Sequence, residues 1–278
     1  MTDDARPDAP ETQAQTPTPA PKGSVLSSLS GKTLAGAALA VSVLALGVSA
    51  APYLTGGDFG GRVRSYLIQN PQVLDEVLAA RDTMIAADQE KEAVLHAQAV
   101  TAAIAANPTL LAPDARDPSF GPADAKVTVV EFFDFRCPGC KAVAHDYRAL
   151  MAAHPEVRFV FKDWPILDRG SDTNSQYAAR AALAAHQQGK YLEIYDALMT
   201  ERALDRAAID GILTQHGVDM TSAQAAIASP EMTRHVTDIH TTAATLGLKG
   251  TPTFIVNGKA SPSIDPGEVA KLIEAAKR

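Results

Sequence analysis

The chain has 278 residues, of which 46% are hydrophobic and 5% aromatic, and a formal net charge of −7. That is enough apolar material for one sizeable domain with accessory segments, while the negative balance and the lack of any long Lys or Arg run exclude a nucleic-acid binder. Its two cysteines stand three positions apart, which excludes a disulfide-stapled scaffold and suits a single redox pair.

Residues 1–32 are rich in Pro, Thr, Ala and Asp, lack apolar periodicity, and read as a disordered tail. No charged residue occurs from 33 to 57, and the run LAGAALAVSVLALGVSAAPYL (34–54) matches the ~20 residues that cross a bilayer. Lys22 and Lys32 before it put the N-terminus in the cytoplasm, and Tyr53 stands at an interfacial position. The alternative is a cleaved signal peptide, since Val48 and Ala50 precede Ala51 in a small-residue pattern. Both readings export the remainder of the chain.

Across residues 62–107, Val63, Leu67, Leu74, Leu78, Ile85 and Leu95 recur at helical intervals, with a break and restart at Asn70-Pro71. The later half has a thin apolar stripe eked out by alanine, so the segment 58–107 is expected to pack on a partner or a second copy of itself. A solvated spacer is the alternative. Residues 108–125 carry four prolines and a glycine, the composition of a linker or an extended lead-in.

KVTVVEFFDF (126–135) is a near-continuous β-branched and aromatic run, as in a strand buried on both faces. A helix follows from Pro138, with Val143, Tyr147, Leu150 and Met151 on one face, and ends near His154-Pro155; VRFVF (157–161) is the next strand. Residues 172–246 turn helical, with helices over 176–187, 190–200 and 207–216, one opened by a capping box from Thr221 to Gln224, and one over 231–246 stopped by Gly247. TFIV (253–256) with Asn257-Gly258 predicts a hairpin with a type I′ turn. Asp265-Pro266-Gly267-Glu268 then supplies an N-cap, an N1 proline and a capping acid for a terminal helix. The fold class is α/β, ordered β–α–β, helical insertion, β–β–α.

Cys137-Pro138-Gly139-Cys140 stands where a strand ends and a helix begins. The unpaired N–H groups at that helix tip stabilise a thiolate on Cys137, and Arg136 adds a neighbouring positive charge. Cys137 is therefore the expected nucleophile and Cys140, one turn in, the resolving thiol. A zinc site lacks further ligands, because the seven histidines are scattered without ligand spacing. The competing function is a binding protein without redox turnover, either holding copper(I) through the two thiolates or acting as a thiol chaperone. Glu131, in the middle of an apolar strand, should have a raised pKa and lies beneath the cysteines, where it can relay a proton to or from Cys140. Lys162, at the end of the next strand, is its candidate partner. The proline of Thr251-Pro252, taken alone, reads as an edge residue at a strand start.

VVEFFDFRCPGC, the helical insertion, LGLKGTPTFIVNG and the terminal helix together resemble the DsbA-type branch of the thioredoxin superfamily over residues ~115–278. The resemblance implies a thioredoxin-like fold for 108–278 with its insertion at ~172–246, and a thiol–disulfide oxidoreductase of the bacterial periplasm that needs no cofactor or metal. It implies that Pro252 is a cis-proline facing the cysteines, that Thr251 contacts substrate backbone, and that Glu131 is the buried acid. YLIQNPQVLDEVL (66–78) resembles the N-terminal segment of the ScsC (suppressor of copper sensitivity) proteins, some of which oligomerise through it and act as disulfide isomerases. That implies a homo-oligomer, most simply a trimer, with exported proteins as clients and a membrane redox partner. Gly139 departs from strongly oxidising relatives, which carry a histidine there.

Overall fold

The computed structural model describes residues 42–44 and 58–278. The tail at 1–32 lies outside these residues, as does the candidate anchor or signal segment at 33–57 apart from 42–44, which are helical and exposed. Among the described residues no helix is long and apolar enough to cross a membrane. The chain divides into two units, 1–78 and 79–278.

In the first unit, helix α1 (Phe59–Gln69) starts at Asp58, whose carboxylate accepts from the Gly61 N–H, and stops at Asn70. Pro71 follows, and α2 (Gln72–Ala106) begins one residue later. Nothing in α1 is buried, and Phe59, Tyr66, Ile68, Leu74, Val77 and Leu78 are all exposed.

The second unit is built on a five-stranded sheet of order β1-β3-β2-β4-β5. Strands β2 (Thr128–Phe133) and β3 (Arg158–Asp163) run parallel, joined by α3 (Pro138–Ala153). Strand β4 (Thr253–Val256) is antiparallel to β2, and β5 (Lys259–Ala260) returns beside β4. Asn257 and Gly258 both have positive φ, 44° and 80°, as the type I′ turn requires. The insertion comprises α4 (Asn174–His186), α5 (Tyr191–Thr200), α6 (Arg206–Gln215), α7 (Met220–Ile227) and α8 (Pro230–Thr245), and α9 (Pro266–Lys277) closes the chain. This is the thioredoxin-like α/β arrangement expected from the sequence.

Side chains alternate along a strand. Val129 and Phe133 therefore face a core completed by α3, α9 and helices α4–α7, while Val130 and Phe132 face Trp164, Ile255, α8 and the end of α2. Edge-to-face aromatic pairs tie the first core together, among them Phe133–Phe135 at 4.9 Å and Phe161–Tyr195 at 5.1 Å. Such pairs contribute about 0.5–1.5 kcal/mol each beyond burial, and these hold Tyr195 against the sheet.

Four expectations need correction. The lead-in at 108–125 contains a 3₁₀ turn (Pro108–Leu111) and a strand, β1 (Ser119–Phe120), antiparallel to β3; two residues between Pro118 and Gly121 are too few to show a pattern. The last turns of α2 belong to the core, with Ala97, Val100 and Ile104 buried. Helix α7 is capped by Asp219, whose carboxylate accepts from the Ser222 N–H at 2.8 Å, in place of the box at Thr221. Lys162 does not pair with Glu131. It stands in register with Phe132, so the pleat turns it to the opposite face, where its Nζ lies 2.5 Å from Asp117 Oδ2.

Candidate active site

Cys137 is the N-cap residue of α3, and Pro138 occupies the first turn, where a missing N–H costs nothing. The Cys137 N–H donates to Asp134 O at 3.0 Å and the Lys141 N–H donates to Cys137 O at 3.0 Å, so both sides of the turn are fixed. Cys137 is half-buried at the tip; Cys140, one turn in, is fully buried, and neither is in a disulfide. The Cys137 thiol donates to Thr251 O at 3.2 Å, and the Thr251–Pro252 peptide is cis. The cysteines and the Thr251-Pro252 loop, 114 residues apart, thus meet at one point.

Gly139 completes the tip. A carbon placed at its Cβ position would lie 3.5 Å from Pro252 Cδ and 3.7 Å from both Cys137 Sγ and Ile264 Cδ1. Ile264 is 43% exposed, and among the described residues beyond Leu95 it is the one large hydrophobic side chain left exposed. An apolar surface therefore adjoins the accessible sulfur.

Electrostatics divides the two thiols. The Cys137 pKa falls to about 5, chiefly because the Cys140 thiol hydrogen-bonds to it; the Thr251 side chain and the amides of Cys140 and Gly139 add to this against the opposing effect of burial. The Cys140 thiol is pushed far up by burial, then by its hydrogen bond to Cys137 and by the Glu131 carboxylate. Glu131 is fully buried and held well above the usual carboxylate range by desolvation and by the Asp163 charge; its nearest donor is the Tyr195 hydroxyl at 3.5 Å. The result is one acidic, reachable sulfur beside one protonated, inaccessible sulfur, which can attack a disulfide and then close on itself.

Arg136 adjoins Cys137 in sequence, but its guanidinium is engaged elsewhere, with Nη2 2.9 Å from Asp172 and Nη1 3.5 Å from Asp168. It ties the active-site turn to the loop before α4, and the main influences on the acidity of Cys137 come from Cys140, Thr251 and Gly139.

Asp134 is a site residue that sequence reasoning missed. It is buried, and its carboxylate accepts from the N–H groups of Arg136, Ile166 and Leu167 and from the Ser175 hydroxyl, at 2.8–3.1 Å. An acid ending a buried strand next to the cysteine motif was the available signal. Asp134→Ala leaves the buried Ser175 hydroxyl and three half-buried N–H groups without this acceptor; a fully buried group costs about 1–3 kcal/mol and a half-buried one less. The expected result is a loss of about 2–3 kcal/mol in urea unfolding with the active-site turn loosened; a loss under ~1 kcal/mol would refute that account. Lys141 also escaped notice. Its Nζ donates to the carbonyls of Leu198, Met199 and Glu201 at 2.8, 3.2 and 2.7 Å, capping the C-terminus of α5 and locking α3 to it.

A family profile described as Thioredoxin matches residues 114–275. Among solved structures, a thioredoxin-like oxidoreductase from Silicibacter pomeroyi DSS-3 is 35% identical with a TM-score of 0.57, covering 62% of this chain and 98% of that one. A linker-deletion mutant of Proteus mirabilis ScsC is 21% identical, with a TM-score of 0.57 and coverage of 77% and 91%. The thiol-disulfide exchange protein alpha-DsbA2 from Wolbachia pipientis is 22% identical, with a TM-score of 0.56 and coverage of 64% and 97%. The last two likenesses are of fold. The chain spans about a quarter of the length of the curated relatives it matches, Na(+)/H(+) antiporters such as NhaA 1 of Salinispora arenicola, at 33% identity over 145 residues. With its profile match extending over the sheet, the cysteine pair and the Thr251-Pro252 loop, the chain belongs to the thioredoxin family, and its structural neighbours include DsbA-type and ScsC proteins.

Proposed function

We propose that the protein is a thiol–disulfide oxidoreductase of the bacterial periplasm that forms or isomerises disulfide bonds in exported proteins. The observation that carries this reading is the asymmetry of the pair: a reachable Cys137 with its pKa lowered to about 5 beside a buried Cys140 held protonated.

In the attacking direction, the Cys137 thiolate displaces one sulfur of a client disulfide, which leaves as a thiolate, and a mixed disulfide forms. Cys140 then gives its proton to Glu131 and attacks Cys137 Sγ; the client is released reduced and the Cys137–Cys140 disulfide closes. Run in reverse, a client thiolate attacks Cys137, Cys140 departs as a thiolate, and Glu131 returns the proton. Thr251 and Pro252 receive the client backbone, and Ile264 supplies the apolar contact beside them. A thiolate favoured in the folded state stabilises the reduced form, which makes the pair oxidising; without a histidine at Gly139 the effect stays below that of the strongest oxidants.

The uncharged segment at 33–57 directs the chain across the inner membrane and either anchors it or is cleaved. A membrane redox partner resets the pair. The exposed apolar residues of α1 and the opening of α2 support assembly into a homo-oligomer, which we take to be a trimer.

Turnover of a fluorescent peptide disulfide by the purified protein, with glutathione as reductant, tests the reading. The protein should accelerate reduction and Cys137→Ser should abolish the acceleration. Tight copper(I) binding by a protein that shows no turnover would instead establish the binding-protein alternative.

A further inference from the structure

Two buried carboxylates lie on the same face of the sheet beneath the cysteines. Glu131 pairs in register with Phe161, and Asp163, two positions further along β3, pairs with Phe133, so both acids point into the core that holds α3 and α5. They are 0% and 1% exposed. Tyr191 and Tyr195 stand one turn apart on α5, their rings 6.3 Å apart, and each addresses one acid. The Tyr191 hydroxyl donates to Asp163 Oδ2 at 2.8 Å, whereas the Tyr195 hydroxyl lies at the hydrogen-bond limit, 3.5 Å from Glu131 Oε2. One oxygen of each carboxyl, Glu131 Oε1 and Asp163 Oδ1, has no partner.

Two acids on one dry face do not both ionise. Burial raises the proton affinity of both acids, and Asp163, with the firm hydrogen bond, is the better able to hold a charge, so of the two Glu131 takes up a proton first. Glu131 is also faced by Cys140 and Tyr147 of α3 and by Tyr195 of α5. Asp163 is faced by Tyr191, by Asp117 ahead of β1 and, across the Tyr191 ring, by His186 of α4. Lys162, next to Asp163 in β3, points to the opposite face and pairs there with Asp117.

We propose that Asp163 is a positioning residue for the redox reaction: its carboxylate, on the same dry face, makes the Glu131 carboxylate a stronger base, so that Glu131 takes the proton of Cys140 as the thiol attacks. The inference rests on the reading of Glu131 as the proton carrier. Raising the proton affinity of Glu131 brings it nearer that of a thiol, which is what efficient transfer needs. The atoms balance within the step already written: the proton leaving Cys140 resides on Glu131 while the Cys137–Cys140 bond forms and the client sulfur leaves.

The experiment follows release of glutathione from the Cys137–glutathione mixed disulfide of the full chain, in single turnover, as a function of pH. The rate should show an acid limb set by Glu131. In Asp163→Asn that limb should move about 1–3 pH units lower, while the ultraviolet thiolate titration of Cys137 stays near its original midpoint. Tyr191→Phe, which keeps the acid but strips it of its donor, should weaken the Asp163 charge and move the limb in the same direction. In the Glu131→Gln background the limb should vanish and neither substitution should have a further effect. A Glu131-dependent limb that both substitutions leave in place overturns the role of Asp163 alone. A shift that persists in Glu131→Gln overturns action through Glu131, and a limb that survives Glu131→Gln overturns the proton-carrier reading itself.

Discussion

Cys140→Ala should turn the protein into a trap that accumulates mixed disulfides with exported proteins and loses turnover by about 10³-fold or more. Attack by Cys137 needs only its own thiolate, but release from the client needs the second sulfur, and the chain holds no other cysteine. Non-reducing gels of a periplasmic extract should show shifted bands that collapse on adding reductant. The variant should also be a weaker acid at Cys137, because the largest influence holding that thiol at about 5 is the hydrogen bond from Cys140. A thiolate midpoint unchanged in Cys140→Ala would contradict this. In the wild type the rate of attack should rise through pH 5 and then level off. The linked stability has a defined sign: an unfolded cysteine ionises near ~8.5, so the reduced fold gains stability that is complete above that pH and is lost as pH falls through about 5. The oxidised form, with no thiol to ionise, should show no such change. Reduced and oxidised melting curves should therefore converge towards acid pH.

The second large effect concerns the N-terminal helices, and the structure fixes where to cut. Deleting residues through 107 removes Ala97, Val100 and Ile104 from the core, the hydroxyl of Thr101 that accepts from the Ala260 N–H at 3.1 Å, and His96, which contacts Gly247 O at 2.9 Å. Each large aliphatic side chain lost costs about 1.5–3 kcal/mol, a large share of the ~5–15 kcal/mol of a typical domain, so that protein should be unstable. A chain beginning at Glu92 keeps these contacts and loses the exposed apolar residues from Phe59 to Ile85. It should scatter as a monomer and not as a trimer, keep single-pair disulfide exchange within about twofold, and lose about tenfold or more of its activity on a scrambled multi-disulfide client. The loss follows from tethering: several active sites on one assembly meet the same client at effective concentrations that separate monomers do not reach. A full-length protein that is monomeric at micromolar concentration would sink the oligomer and place the protein among simple oxidases.

The parts of the fold that local chemistry dictates could be read from the chain alone. Asn257-Gly258 admits essentially one hairpin turn, Asp265-Pro266 opens one helix, and a Cys-Pro-Gly-Cys run between an apolar strand and a helix places its first sulfur at the tip. What could not be read depends on partners distant in sequence. Lys162 looked adjacent to Glu131, but the pleat separates neighbouring positions to opposite faces, and only the register with Phe132 reveals its side. Arg136 sits next to Cys137 in sequence yet is claimed by Asp168 and Asp172, more than thirty positions away. Asp134 and Asp163 look like ordinary strand-end acids until the loops and helices that bury them are in place.

Gly139 has a consequence for how such a protein can change over generations. It lies in an ordinary helical turn outside the left-handed region, and a side chain there would begin at normal contact distance from Cys137 Sγ, Pro252 and Ile264. No backbone rule reserves the position for glycine, so nearly any residue can stand there while the fold persists. The same position borders the reactive sulfur, where a new charge or donor alters the thiolate and with it the reduction potential. Redox strength and foldability are thus separately heritable in this chain: a single codon can carry a descendant towards a stronger oxidant or a stronger reductant without a compensating change in the core.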